Sequence, residues 1–442
     1  MTNRHQLSVF DANIHIGMVT YEPLDERFSF EYANEWRDFD GAYPLSPHFP
    51  LAGGDTAQGS VRRFIENLLP EGRALDIVSL THQVARNNVF GLIRELGRET
   101  AGALSFLPEG ELPEAQPTTR REITRDELAR RIAGRAQLPF SVWDGRVRMS
   151  IAGYQDKLSV YIDDEGRLFL VEGQLASTHI LKPEPAQDNL PMLVANEHYC
   201  MGLAKRLGLP VANTTLMRAP EPVLVVERFD RVKSAGRVRR IHIIDACQAL
   251  NLPVAYKYER NFGSGRDVQH IRDGVSFESL FSVSGHTIRK AATRQMLARW
   301  ALFQYLIGNC DAHGKNLSFF CSGDGLALAP FYDLVSVVQY PGLDHELAMA
   351  IGDEFRLEEV SPFAWADFAL RTGLQRAFLA REMKRLAQAA QAAAGAQAAT
   401  PDYEDAERDF VQRIGATVQA QAGKLLAAIK PMLSVDAALL GP

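Results

Sequence analysis

At 442 residues, 46% of them hydrophobic and 23% charged, the chain is too long for one core and too apolar for wholesale disorder, so two or more packed units are expected. A net charge of −6 excludes a general attraction to nucleic acid or anionic membrane, and no window is apolar for long enough to span a bilayer. Four cysteines without C-x-x-C spacing argue against a disulfide framework.

The first residues, "MTNRHQLSVFDANIHIG", carry no sustained apolar run of the signal-peptide kind, so a cytoplasmic location is expected. Taken in chain order, "HQLSVFDANIHIGMVTYE" and "FSFEYANEW" read as strands joined by polar turns. "VRRFIENLLPEGRALDIVSLTHQV" has apolar positions at helical spacing, interrupted at Pro70 and Gly72, and "AGALSFLPEG" closes a first unit at about residues 1–107. Residues 108–142 are polar and proline-bearing, a linker running into a helix. From about residue 143 to 235 the pattern is β again. "VRMSIAG", "LSVYIDDEGRLFLVEG" and "THILKPE" read as strands, with a turn at Asp163 to Gly166. "NEHYCMGLAKRLGLP" is an amphipathic helix closed by Gly208 and Pro210, and "PVLVVERFDR" an apolar strand running into charge. "RVKSAGRVRR" (231–240) is the main candidate for a local basic patch, though such a run is more often a solvated loop. Residues 236–442 read as almost entirely helical, ending in "RLAQAAQAAAGAQAAT", an exposed helix broken at Gly395. A β-rich lobe followed by a helical lobe makes an α+β, bilobal plan, and ligands often bind where two such units meet.

Four features suit a nucleotide-phosphate task. "SIAGYQDK" (Ser150 to Lys157) is a glycine-containing turn between strands whose N–H groups and lysine could face phosphates, or it is an ordinary hairpin loop. Lys182 ends an apolar strand, as a phosphate-pairing lysine does and as an edge-protecting lysine also does. Glu197, on the next helix, is its natural ion-pair partner, or an ordinary solvent-exposed glutamate. "NCDAHGKN" places Asp311 and Asn316 five positions apart, the separation found in the H-R-D-x-x-x-x-N loop of kinases. There the Asp orients the acceptor hydroxyl, the Asn binds Mg²⁺, and Lys315 could neutralise the transferring phosphoryl group. His313 reads as a structural histidine. Cys310 and Cys321 flank it, but two thiols and one imidazole lack a fourth metal ligand. Asp333 in "LAPFYD" follows where a second Mg²⁺-binding carboxylate would lie.

These residues resemble a known family, the HipA-type serine/threonine kinases, toxins of bacterial toxin–antitoxin modules. "FIENLLPEG", "MSIAGYQDK", "NEHYCMGLAKRLGL", "VVERFDR", "DACQAL…KYE", "GNCDAHGKNLS" and "LAPFYD" carry the likeness in a shared order along nearly the whole chain. The resemblance implies a protein-kinase-like fold: a β-rich N-terminal lobe with an extra N-terminal subdomain, and an all-helical C-terminal lobe. It also implies that Ala152, Gly153, Tyr154, Gln155, Asp156 and Lys157 cover the ATP phosphates and that Lys182 contacts them. Glu227, Arg228 and Phe229 would form the hinge beside adenine, and Asp311 would be the catalytic Asp. His313, Gly314, Lys315, Asn316, Tyr332 and Asp333 would line the nucleotide site, with Asn316 and Asp333 holding Mg²⁺. Ser150 would be an autophosphorylation site that switches the kinase off. A small helix-turn-helix, HipB-like antitoxin would be the partner, DNA being reached only through it. The substrate would be a translation component such as an aminoacyl-tRNA synthetase. Tyr154, Asp156 and Cys310 depart from the family's usual residues. A kinase-fold co-repressor acting through an antitoxin, and a small-molecule kinase, are the alternative readings.

Overall fold

The computed structural model describes residues 4–53, 57–115, 117–148, 155–186, 189–234 and 237–440. Ser150, Ala152, Gly153 and Tyr154, and most of the strand expected at "VRMSIAG", lie outside them. The chain divides into two compact units. One comprises Met1–Ala186, Met217–Val254 and Phe319–Ala329; the other comprises Gln187–Leu216, Ala255–Ser318 and Pro330–Pro442.

The first unit contains two antiparallel sheets built from the alternating segments. Strands Arg27–Tyr32, Ile14–Glu22, His5–Asp11 and Leu104–Pro108 lie side by side in that order. Their inward residues, including Val9, Ile16 and Phe106, are buried together with Phe64, Ile65, Leu92 and Ile93 of the helices Ser60–Glu66 and Val89–Leu96. Pro70 interrupts the helical pattern as expected, but Gly72 does not: it is the first residue of a new helix, Gly72–His82.

In the second sheet, Leu158–Ile162 and Leu168–Glu172 form the anticipated hairpin. Gly166 closes its turn with φ +77° and donates its N–H to the Asp163 carbonyl at 3.2 Å. His179–Pro183 pairs with Leu158–Ile162 on one side and Pro222–Glu227 on the other. The stretch read as a linker is structured: Thr119–Ile123 adds an edge strand against Leu168–Glu172. The helix Arg125–Ala133, capped by Thr124 accepting from the Glu127 N–H, buries Leu128 and Ile132 on the sheet's apolar face. "RVKSAGRVRR" is no loop either. It is a hairpin, Arg231–Ser234 against Arg237–Arg240, and its outer arginines are tied down.

The second unit is dominated by the helices Leu193–Arg206, Lys290–Ile307, Pro362–Arg371, Arg376–Ala398 and Asp405–Leu433. Two details of the expectation change. Residues 236–442 are not purely helical: Ile243–Asp245, Ser318–Ser322, Gly325–Leu328, Glu346–Ile351 and Glu354–Arg356 are strands. Short buried apolar runs such as "LAMAI" satisfy helix and strand patterns equally, so periodicity alone does not separate them. The alanine-rich helix runs unbroken through Gly395 to Ala398, and Ala387, Ala390 and Ala394 are completely buried. Small side chains let Asp405–Leu433 and Leu193–Arg206 approach closely, and the Tyr199 hydroxyl donates to the Ala394 carbonyl at 3.0 Å. Ala394→Leu is therefore expected to overpack this contact and cost about 1–3 kcal/mol in a denaturant melt. An exposed linker helix would tolerate the change.

Candidate active site

The helix Lys290–Ile307 ends at Gly308, whose left-handed φ of +64° no L side chain adopts cheaply, and the backbone turns into "NCDAHGKN". Asn309 fastens this turn, donating its side-chain amide to Gln304 Oε1 at 2.9 Å and accepting the Asp311 N–H at 3.1 Å. Gly314–Asn316 forms one 3₁₀ turn with a reciprocal cap. His313 Nδ1 accepts the Lys315 N–H at 3.2 Å, and Asn316 Oδ1 accepts the His313 N–H at 3.0 Å. His313 thus shapes the loop. The Tyr332 hydroxyl donates to the Lys315 carbonyl at 2.6 Å and lies 2.8 Å from Ser318 Oγ, holding the loop's exit.

Within this unit the structure brings the predicted acidic and amide groups together. Asn316 Nδ2 donates to Asp333 Oδ2 at 2.8 Å. Asp333 sits in the left-handed region at φ +58°, a conformation in which Asp and Asn are enriched among non-glycine residues. Asp311 begins the same loop and is exposed, whereas Lys315 and Asn316 are buried.

The lysines belong to the first unit. Lys182 follows Leu181, which pairs with Leu158, and is in register with Leu224 on its other side, while Lys157 precedes Leu158. Lys182 and Lys157 are nearly buried, at 8% and 6% exposure. Gln155 donates to the Pro183 carbonyl at 3.1 Å. The Asp156 carboxylate accepts the backbone N–H groups of Phe140 and Ser141, so its side chain is an anchor for the loop's end. Glu197 lies in the second unit, almost completely buried on the helix Leu193–Arg206.

Of the expected hinge, Glu227 is exposed and Phe229 packs edge-on against Phe320, ring centroids 5.9 Å apart. The Arg228 side chain does something else. Its guanidinium grips both oxygens of Asp230, at 3.0 and 2.8 Å, and donates to Ser177 Oγ at 2.9 Å. Asp230 also accepts from Arg231 at 2.7 Å and from the Gly102 N–H at 2.8 Å, while Glu99 lies 3.5 Å from both arginines. Burial alone would raise the Asp230 pKa, but Arg228 and Arg231 hold the carboxyl well below its usual range. Burial, then repulsion from Arg228, pushes Arg231 down to about 9. This network ties the end of the N-terminal sheet to the strand carrying "VVERFDR", and its partners are too distant in sequence to be read from the motif.

The four cysteines are buried free thiols. Burial pushes Cys310 up to about 12 and raises Cys321 as well, so neither is a thiolate ready to ligate a metal.

The same organisation recurs in known proteins. The HipA N-terminal domain model matches residues 7–107, and the HipA-like C-terminal domain model matches residues 149–394. The chain is 40% identical over 430 residues to the serine/threonine-protein kinase toxin HipA of Shewanella oneidensis, covering 96% of this chain and 97% of that one. A putative kinase of Sinorhizobium fredii is 34% identical over 367 residues, covering 81% of this chain and 83% of its own length. A solved complex of Shewanella oneidensis HipA, HipB and operator DNA matches with a TM-score of 0.87 at 38% identity, covering 97% of this chain and all of the matched one. Likeness of this extent in sequence and fold, over both units, shows that the chain belongs to the HipA family and is a serine/threonine-protein kinase toxin of that type.

Proposed function

We propose that this kinase transfers the γ-phosphoryl group of Mg·ATP to a serine or threonine hydroxyl, with Asp311 as the group that accepts or orients the hydroxyl proton. The observation that supports this most is the capped loop itself: Asp311 exposed at its start, and Asn316 at its end in contact with Asp333. The donor set fits magnesium. Asp333 offers a carboxylate, and Mg²⁺ is usually held by one or two carboxylates together with substrate phosphates. The Asn316 amide, whose Oδ1 accepts the His313 N–H and whose Nδ2 faces Asp333, would join them by turning its oxygen toward the ion. Among the described residues there is no group of three His, Cys, Asp or Glu side chains able to hold a metal unaided, so phosphate oxygens would complete its coordination. When bound, the ion supplies charge neutralisation on the phosphates. Lys157 and Lys182 hold those phosphates, Glu197 pairs with Lys182, and Lys315 meets the transferring group. Gln155, Gly314 and Tyr332 border the nucleotide with them. Glu227, Arg228 and Phe229 flank adenine, Arg228 through its backbone only because its guanidinium is committed elsewhere.

Ser150, with Ala152, Gly153 and Tyr154, belongs to the proposed phosphate loop. A phosphate on Ser150 would add roughly −1.5 to −2 charges beside groups that bind phosphate, and so expel the loop from the site. The solved complex of the Shewanella relative supports a HipB-like antitoxin as partner, with DNA reached through it. We further propose a cytoplasmic site of action and a translation component, such as an aminoacyl-tRNA synthetase, as substrate. The test is to incubate the purified chain with labelled ATP, Mg²⁺ and a bacterial lysate, then map phosphosites by mass spectrometry. Label on Ser150 and on one lysate protein is the expected result; no label with Mg·ATP would sink the proposal.

A further inference from the structure

The loop carrying Asp311 is met by a side chain with no role so far. The Tyr258 hydroxyl donates to Asp311 Oδ1 at 2.6 Å, the length of a charge-assisted O–H···O⁻ bond. Both residues lie in the second unit. Tyr258 is not carried there by a loose loop, because its neighbours are pinned from several directions. The Lys257 carbonyl accepts the Gly314 N–H of the catalytic loop at 2.9 Å. The Glu259 N–H donates to Ala348 at 2.9 Å, and the Ala348 N–H donates to Cys310 at 2.8 Å, so the strand Glu346–Ile351 laces this segment to the residue before Asp311. Glu259, only 3% exposed, accepts the Ala350 N–H at 2.7 Å and pairs with Arg272. Gly274 packs so close that a Cβ there would lie 1.8 Å from the Tyr258 carbonyl oxygen. The Tyr258 ring stands edge-on to His313, centroids 5.1 Å apart, over the residue that caps the loop.

An exposed aspartate on a loop otherwise samples several rotamers, and most of them aim its carboxylate away from an incoming hydroxyl. A rigidly held donor selects one rotamer. We propose that Tyr258 is a positioning residue for phosphoryl transfer: by binding Oδ1 it presents Oδ2 of Asp311 to the acceptor hydroxyl. This rests on the reading of Asp311 given above.

Tyr258→Phe removes the hydroxyl and keeps the ring against His313. The measurement is the initial rate of labelled-phosphate incorporation from ATP with Mg²⁺ and lysate protein, as a function of ATP concentration, alongside wild type and Asp311→Asn. The expected result is a fall in kcat of about tenfold, the value of one hydrogen bond to a charged group. KM for ATP and the thermal melt stay unchanged. A kcat within about twofold of wild type, a loss confined to KM, or a rise in kcat overturns the proposal; a rise would mean that the hydroxyl obstructs the acceptor. Active wild type beside inactive Asp311→Asn leaves the functional reading standing whatever Tyr258→Phe does. Wild-type activity in Asp311→Asn would overturn both.

Discussion

Asp230→Ala is expected to destabilise the protein by about 3–5 kcal/mol, because it leaves buried charge uncompensated. In a thermal scan that corresponds to a fall in Tm on the order of 10 °C. The size follows from what remains behind. Arg228 and Arg231 are 4% and 7% exposed, and without the carboxylate they face one another with only Glu99, itself partly solvated, to balance them. The Gly102 N–H loses its acceptor as well. The half-buried, solvent-accessible Arg62–Glu66 pair, four residues apart on one helix, provides the contrast: Glu66→Ala should change stability by no more than about 1 kcal/mol. Acid supplies a second check. The Asp230 carboxyl titrates well below its unfolded value, so its ionisation stabilises the fold above the ordinary carboxylate pKa of about 4. That contribution is lost as pH falls from there toward the depressed native value. The gap between wild type and Asp230→Ala should accordingly narrow in melts below about pH 4 and stay constant from pH 6 to 8.

This network also marks the boundary of what sequence reading could reach. The turn at Asp163 to Gly166, the helix closed by Gly208 and the spacing of Asp311 to Asn316 are legible because each rests on local chemistry: a left-handed glycine, a helix stop, a loop six residues long. The place of Arg228 in "VVERFDR" points to the nucleotide site, yet Glu99 and Gly102, which decide the surroundings of its guanidinium, lie more than 120 residues away. The alanine-rich helix failed as an exposed segment for a related reason. Alanine signals helix strongly, but it looks the same on a solvent face as at a close helix contact, and only the partner helix decides. Tyr258 lies inside "KYE" with no role visible in the sequence, since its partner Asp311 is 53 residues downstream.

Asp311→Asn is expected to lower the rate of phosphoryl transfer by about 10²–10⁴-fold, the usual contribution of a positioned acid–base group. The substitution is nearly isosteric, and the loop does not depend on the charge it removes. The Asp311 N–H donates to Asn309 and its carbonyl accepts from His313, both backbone groups that an asparagine retains. The Tyr258 hydroxyl can still donate to the amide oxygen. Thermal melts of the variant should therefore match wild type, and so should nucleotide binding, because Lys157, Lys182, Asn316 and Asp333 are untouched. What the amide cannot do is accept the acceptor's proton while keeping a second oxygen on Tyr258: one of its two terminal atoms is now an NH₂ donor. The decisive measurement is thus a pair, ATP titration and single-turnover phosphate transfer on the same preparation. Binding retained with transfer lost assigns Asp311 to the chemical step. Binding and transfer lost together would assign it to the nucleotide site, and undiminished transfer would remove it from the mechanism.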